Sequence, residues 1–234
     1  MSAIDDYQSA TEALATDTER AALAIYNRYL RGELSDDDAA LLIAAAVNRA
    51  NAAAVSLADA WLTVQVEEQL GEPVPTVGVL PVDDSERLVK AVNTVLSEPA
   101  SPEPTQDETT AESIEPAQGS PTLRTLRDDQ AEARLARLAR CEPLEAAQQA
   151  THEAMQKQPL VEGWVRHMDA DPCQLCRWWW REGRVWPKAH RMPTHKGCNC
   201  QPRIVLVPSV RHTQFTRRLE RANAPTGTRF ERYA

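Results

Sequence analysis

Residues 164–207 read WVRHMDADPCQLCRWWWREGRVWPKAHRMPTHKGCNCQPRIVLV, and the rest of the chain is organised around them. Four of the five cysteines fall here: Cys173 and Cys176 as a C-x-x-C pair, Cys198 and Cys200 as C-x-C, with His195 three residues ahead of the second pair. Thiolate and imidazole are the ligands that a tetrahedral zinc prefers, and two short knuckles separated by a loop let a small unit supply them. The two-residue spacer lets Cys173 and Cys176 turn both sulfurs toward one point. Eighteen residues, 177–194, then loop out before His195 to Cys200 return to it. Gly197 allows the backbone to turn tightly beside the ligands. Five donors are one more than a closed structural site takes. The preferred set is therefore Cys173, Cys176, Cys198 and one of His195 or Cys200, holding a structural Zn. Two disulfides, or unligated thiols, are the rival readings. In a reducing cytosol such a cluster is more often metal-binding than oxidised. A catalytic metal is disfavoured, because the helical H-E-x-x-H pattern and a carboxylate assigned to activate water are both missing.

The 234-residue chain is long enough for one or two modest domains with a core. Hydrophobic content is 42% but aromatics are only 5%, and alanine carries much of the apolar count, which favours close-packed helices over a large β core. Net charge is -8 and unevenly placed: residues 161–234 carry twelve Arg and two Lys against six acids, so that end is +8 and the first 160 residues are -16. An acidic body with a basic end points to an anionic partner, DNA or an acidic protein face, or to ends that neutralise each other. No apolar run approaches the roughly 18 residues that span a bilayer. The start, MSAIDDYQSATEA, has neither a basic n-region nor an apolar h-region, so the expectation is a soluble protein without a standard export signal.

In chain order, residues 7–31 read as a helix on Leu14, Ala22, Ile25, Tyr26, Tyr29 and Leu30, stopped by Gly32. Ser35 caps a second helix that begins with three aspartates and runs to about Leu70, with Leu41, Leu42, Val55, Leu62 and Val66 as its stripe. Together they make a helical hairpin, residues 1–72. Gly71 and the prolines after it end the helix, and a short amphipathic helix follows from Ser85 to Leu96. Residues 97–121 hold five prolines, six acids and no basic residue, the composition of a flexible acidic linker closing a segment 73–121. Helix returns over Thr122–Arg140, and Glu142-Pro143 is expected to break it and start another, to about Gln158. His152 reads as an ordinary packing or surface histidine, and Cys141 as a buried or half-buried thiol.

The Cys/His module completes a segment 122–208. Trp178, Trp179 and Trp180 cannot all face one way, so at least one belongs at a surface or interface, where it packs on a partner or stacks on a base. Arg203–Val207 reads as one strand, with Gly183–Trp186 as its partner in a small hairpin over the metal. The tail, residues 209–234, has six Arg (among them Arg211, Arg217, Arg218 and Arg221) against two Glu, and reads as an anchor for phosphate backbone or an acidic neighbour. The fold class expected is thus mainly α: hairpin, acidic linker, second helical segment, and a small metal-binding module with a short β-hairpin.

The runs Gly163–Arg166, Asp171-Pro172-Cys173-Gln174-Leu175-Cys176, Gly183–Pro187 and Pro193-Thr194-His195-Lys196-Gly197-Cys198-Asn199-Cys200-Gln201-Pro202 resemble the C-terminal module of MuF-like phage head morphogenesis proteins. These are minor capsid proteins usually encoded next to the portal, particularly in tailed phages of actinobacteria. The likeness is specific over residues 140–207 and loose over the N-terminal helices. It departs from the commoner pattern at His195-Lys196, where a His-Pro pair is usual, which leaves the ligand role of His195 open. The resemblance implies a structural component of the virion, at the capsid interior or portal vertex, assembled in the host cytoplasm. Its implied partners are the portal or major capsid protein, and packaged DNA through the basic end. Some relatives are labelled capsid maturation proteases, an enzymatic alternative. For it His167 with Asp169 or Asp171 could serve as base and orienter, but no serine is near and no Gly-x-Ser-x-Gly elbow exists. A zinc-dependent DNA-binding module is a third reading, although the spacing lacks the two closing histidines of a C2H2 finger.

Overall fold

The structure, a computed structural model, describes residues 2–97 and 123–206. All but the first residue of the acidic linker, and the whole basic tail with Arg211, Arg217, Arg218 and Arg221, lie outside the described residues. The described chain is mainly helical: α1 (Ala3–Leu30), α2 (Asp36–Leu70), α3 (Ser85–Ser97), α4 (Leu123–Lys157) and a short α5 (Gln174–Trp180). Three strands, β1 (Val161–His167), β2 (Trp186–Pro187) and β3 (Gln201–Leu206), form one antiparallel sheet.

Local chemistry sets the helix ends. Ser35 Oγ accepts from Asp38 N–H at 3.1 Å and donates to the Asp38 carboxylate at 2.7 Å, capping α2 reciprocally. At the end of α1 Gly32 takes φ +75°, Gly32 N–H donates to Tyr29 O and Glu33 N–H to Arg28 O, which satisfies carbonyls the helix leaves open. The segment after α2 is pinned by Asp59, whose carboxylate accepts from the backbone N–H groups of Val77, Gly78 and Val79 at 2.9–3.2 Å.

By contact the chain forms two compact units, each assembled from several sequence segments. One comprises Thr16–Arg49 and Asp83–Arg140. Its core joins Ala22 and Tyr26 of α1, Ala39, Ala40, Ile43, Ala44 and Val47 of α2, Leu88, Val92 and Leu96 of α3, and Leu135 and Ala139 of α4. Leu41 and Leu42, expected in the stripe, are 56% and 42% exposed instead. The inward face is set by Ala40, Ala44 and Val47 with Ile43, spaced three and four apart, because alanine permits close helix contact where leucine would hold the helices apart.

Of the described residues, the other unit comprises those up to Ala15, Ala50–Val82 and those from Cys141 on. Ile4 and Tyr7 of α1, Leu62 and Val66 of α2, Ala147, Ala150, Ala154 and Met155 of α4, and Val161, Trp164 and Ile204 of the sheet share one core. Helix α2 contributes to both cores and has an apolar window of mean hydropathy 1.5, long and apolar enough by length and composition to cross a membrane; a core helix meets the same test.

Two further expectations fail. Pro143 does not break the helix: α4 is continuous from Leu123 to Lys157 with Pro143 inside it. A proline in a helix interior costs roughly 3 kcal/mol, and buried side chains on either side, Leu135 and Ala139 before it and Leu144 and Ala147 after, oppose a break. The strands near the cysteines also pair differently. The Trp186–Pro187 and Gln201–Leu206 strands both pair with β1 rather than with each other, in the order β2-β1-β3. Trp164 lies opposite Trp186 on one side and Ile204 on the other.

Candidate metal centre

Helix α5 begins at Cys173, whose carbonyl accepts from Arg177 N–H at 3.1 Å. Cys173 and Cys176 are therefore three residues apart across the first turn, the spacing that puts two side chains on one face. The second knuckle is a turn: Cys198 N–H donates to His195 O at 3.1 Å, and Gly197 supplies φ +75°. A Cβ at Gly197 would meet Cys141 Sγ at an ordinary 3.7 Å, so the glycine is required for its backbone angle rather than for space.

The knuckles converge. His195 Nε2 lies 3.0 Å from Cys173 Sγ and 3.1 Å from Cys176 Sγ, and Cys176 Sγ lies 3.5 Å from Cys198 Sγ. Cys173, Cys176 and His195 form one set of donor atoms within 4.8 Å of one another; Cys176, Cys198 and Cys200 form a second. Cys176 belongs to both. None of the five cysteines is in a disulfide. Cys176, Cys198 and Cys200 are buried while Cys173 is exposed. The residues thus lie close enough to hold a metal ion. A tetrahedral zinc with Zn–S bonds of about 2.3 Å has S–S edges of about 3.8 Å, close to the Cys176–Cys198 separation.

The electrostatics are those of thiols crowded together. Burial and the neighbouring Cys200 push the Cys176 thiol up to about 12. The hydrogen bond with Cys198 and burial push Cys200 up as well, while Cys173 is held below its usual value by the Cys176 backbone N–H and Cys198 by its hydrogen bond with Cys200. Adjacent sulfurs cannot all ionise without a cation among them. His195 donates from Nδ1 to Lys196 O at 3.0 Å, which leaves Nε2 as the lone-pair nitrogen facing the sulfurs.

No family model, curated protein or solved structure matches the chain.

Several residues that fix the cluster carry no signal in the sequence motif. Gln148 of α4 donates from Nε2 to Cys198 O at 2.6 Å and to Cys200 O at 3.2 Å. Asn199, between those cysteines, accepts from Thr11 Oγ1 at 2.7 Å and donates from Nδ2 to Gln8 O at 2.9 Å, tying the knuckle to α1. Asp169 N–H donates to Cys200 Sγ at 3.4 Å. Only three-dimensional proximity identifies these, since Gln8 and Thr11 precede Asn199 by almost the whole chain.

The tryptophans fan around α5 as a helix requires: Trp178 is 63% exposed, Trp180 is exposed and Trp179 half-buried. Trp179 sits 6.2 Å from the His195 ring, with the Arg166 guanidinium carbon 5.5 Å from its centroid. Trp164 donates from its indole to His190 O at 2.7 Å, and Trp186 stacks on His190 at 4.3 Å. His152 is half-buried, and desolvation together with Arg191 holds it below its usual value. His167, the base of the enzymatic alternative, meets Asp5 at 3.0 Å rather than Asp169 or Asp171. Asp169 instead accepts from Ala170 N–H through its own carboxylate. Ser85 and Ser97 serve α3, bonding to Asp83 and to Asn93 O; Ser101, Ser113 and Ser120 lie outside the described residues.

Proposed function

We propose that Cys173, Cys176 and Cys198, with one of His195 or Cys200, are the four ligands of one structural zinc ion, and that the chain is a MuF-like minor capsid protein of a tailed phage. The observation that carries the metal reading is the sharing of Cys176 between two donor triads brought together from both ends of an eighteen-residue loop. Thiolates with one imidazole select zinc over harder cations, which take oxygen ligands. Zinc, when bound, supplies a four-way crosslink. The chain's own contribution is to present the sulfurs from a helix start and a glycine turn, and to hold that turn through Gln148 and Asn199. The likeness of the 163–202 motif runs to MuF-like proteins supports the virion assignment, with the helical body as the part that docks on portal or inner shell and the basic end as the part that meets DNA or an acidic face.

Metal analysis of purified protein tests the first half: about one zinc per chain is expected, and a metal-free protein with full thermal stability refutes it. Co-purification with the neighbouring portal protein, and incorporation into heads, test the second. A chain absent from particles and from portal complexes refutes the virion reading while leaving the zinc site standing.

A further inference from the structure

Helix α5 and the turn that follows it border an open groove of about 790 Å³. Its floor is apolar, made by Met168, Pro172, Trp178 and Trp180. Its rim is basic: Arg177, Arg181 and Arg184 line it, against Glu182 as the lining acid. The arginines are held in place. Arg177 Nε donates to Pro172 O at 2.9 Å, the Arg181 guanidinium carbon lies 5.4 Å from the Trp178 ring centroid, and that of Arg184 lies 4.2 Å from the Trp186 ring centroid. A guanidinium stacked on a ring keeps its in-plane N–H donors for a carboxylate. Among the described residues no carboxylate ion-pairs with any of the three.

The backbone that presents them is unusual. Arg181, Glu182 and Gly183 take φ of +49°, +55° and +75° in succession. Two of these are ordinary L-residues in the left-handed region, which side chains disfavour and which a fold retains where the presented groups matter. The turn delivers Arg181 and Arg184 to the same groove as Trp178 and Trp180.

We propose that this groove is a docking site for an acidic peptide segment of a partner protein, with apolar side chains seated on the tryptophan floor and carboxylates on the arginine rim. Charge complementarity selects the sign of the partner, and the apolar floor selects its kind. A sugar-phosphate backbone would leave that floor unfilled, and of the groove's two tryptophans Trp178 already carries a guanidinium over its ring. Exposed tryptophan ringed by arginine is the composition of an energetic centre in protein recognition. The inference needs the module to be folded, and depends on neither the zinc nor the virion reading.

The test titrates the full-length protein, as purified, with a short labelled peptide alternating acidic and leucine or phenylalanine residues, at physiological salt. Polyglutamate of equal charge and oligo-dT are the comparison probes. Arg177→Glu with Arg181→Glu is the variant, since both side chains are exposed. The amphipathic peptide is expected to bind at micromolar concentration, to bind at least about tenfold tighter than polyglutamate, and to lose about tenfold in the variant, the scale of removing central arginines. The basic tail is common to wild type and variant, so it does not contribute to that difference. Should the double variant lose its far-ultraviolet dichroism or metal, Trp178→Ala supplies the same comparison. Equal affinity for polyglutamate, unchanged binding by the variants, or no binding of the peptide overturns the proposal. Tighter oligo-dT binding that the variants abolish reassigns the groove to single-stranded nucleic acid.

Discussion

Both compact units have apolar cores, but the helical unit and the Cys/His knuckles are held together by different physics. In Thr16–Arg49 with Asp83–Arg140, the order comes from repeated apolar side chains: Leu88, Val92 and Leu96 recur every four residues on α3, and Ala40, Ala44 and Val47 recur on α2. The surround of the Cys/His knuckles is instead held by single, unrepeated polar contacts. Gln148 on two carbonyls, Asn199 between Thr11 and Gln8, and two donor triads that share Cys176 define it. Apolar burial tolerates substitution by degrees. A ligand cluster with a buried polar surround fails all at once, since removing one partner strands the others. The comparison therefore separates a graded part of the molecule from an all-or-none part.

Cysteine substitution should break that contrast most strongly. Cys176→Ser removes the one donor common to both triads, and is expected to abolish zinc binding and melt the module, because structural zinc binding is worth on the order of 10 kcal/mol. Cys200→Ser leaves Cys173, Cys176 and His195 with Cys198, and should retain zinc. Metal content and thermal unfolding of the two proteins decide it; full metal content in Cys176→Ser would remove Cys176 from the centre. The matching change in the helical unit is Leu135→Ala, which opens a hole at a fully buried position. It should lower stability by about 2–5 kcal/mol in denaturant titration with zinc content unchanged. Loss of metal from this variant would erase the distinction drawn here.

Between these stands Asn199→Ala, which removes the side-chain acceptor of the buried Thr11 hydroxyl and of the buried Gln201 amide. A cost of about 1–3 kcal/mol is expected, together with weaker zinc retention under chelator challenge. Stability that falls while chelator resistance does not would show that the asparagine ties down α1 without positioning the ligands.

The same contrast explains what the sequence made legible. Periodicity carried the helical part: α1, α2 and α3 lie within a few residues of where their apolar spacing and their Ser35, Gly32 and Gly71 punctuation put them. The clustering of the Cys and His donors was legible too, since C-x-x-C, His and C-x-C are local patterns whose chemistry favours a common point. Strand β1 was not. Gly163 to Arg166 is buried throughout, so no alternation marked it as a strand, and its role as the central partner depends on residues that lie far along the chain, from Trp186 to Val205. Pro143 misled because a local rule was applied where long-range packing on both sides outweighs it. Leu41 and Leu42 misled for the converse reason: hydrophobicity alone does not say which face of an alanine-rich helix turns inward.

The smallest effect tests whether the helical unit is as independent of the metal as its packing implies. Ser35→Ala removes one reciprocal cap on an exposed helix start and touches neither core nor ligand. A missing cap costs about 1 kcal/mol, which should appear as a modest downward shift in the unfolding midpoint. The three aspartates that follow Ser35 still face the positive end of the helix dipole, so the helix start is weakened rather than lost. If the two parts unfold separately, the shift belongs only to the transition that persists after chelation, and the zinc-linked transition stays where it was. Movement of both transitions by the same amount would show that α2, which supplies side chains to both cores, couples them into one cooperative structure. Graded and all-or-none behaviour would then be local properties of a single folding unit.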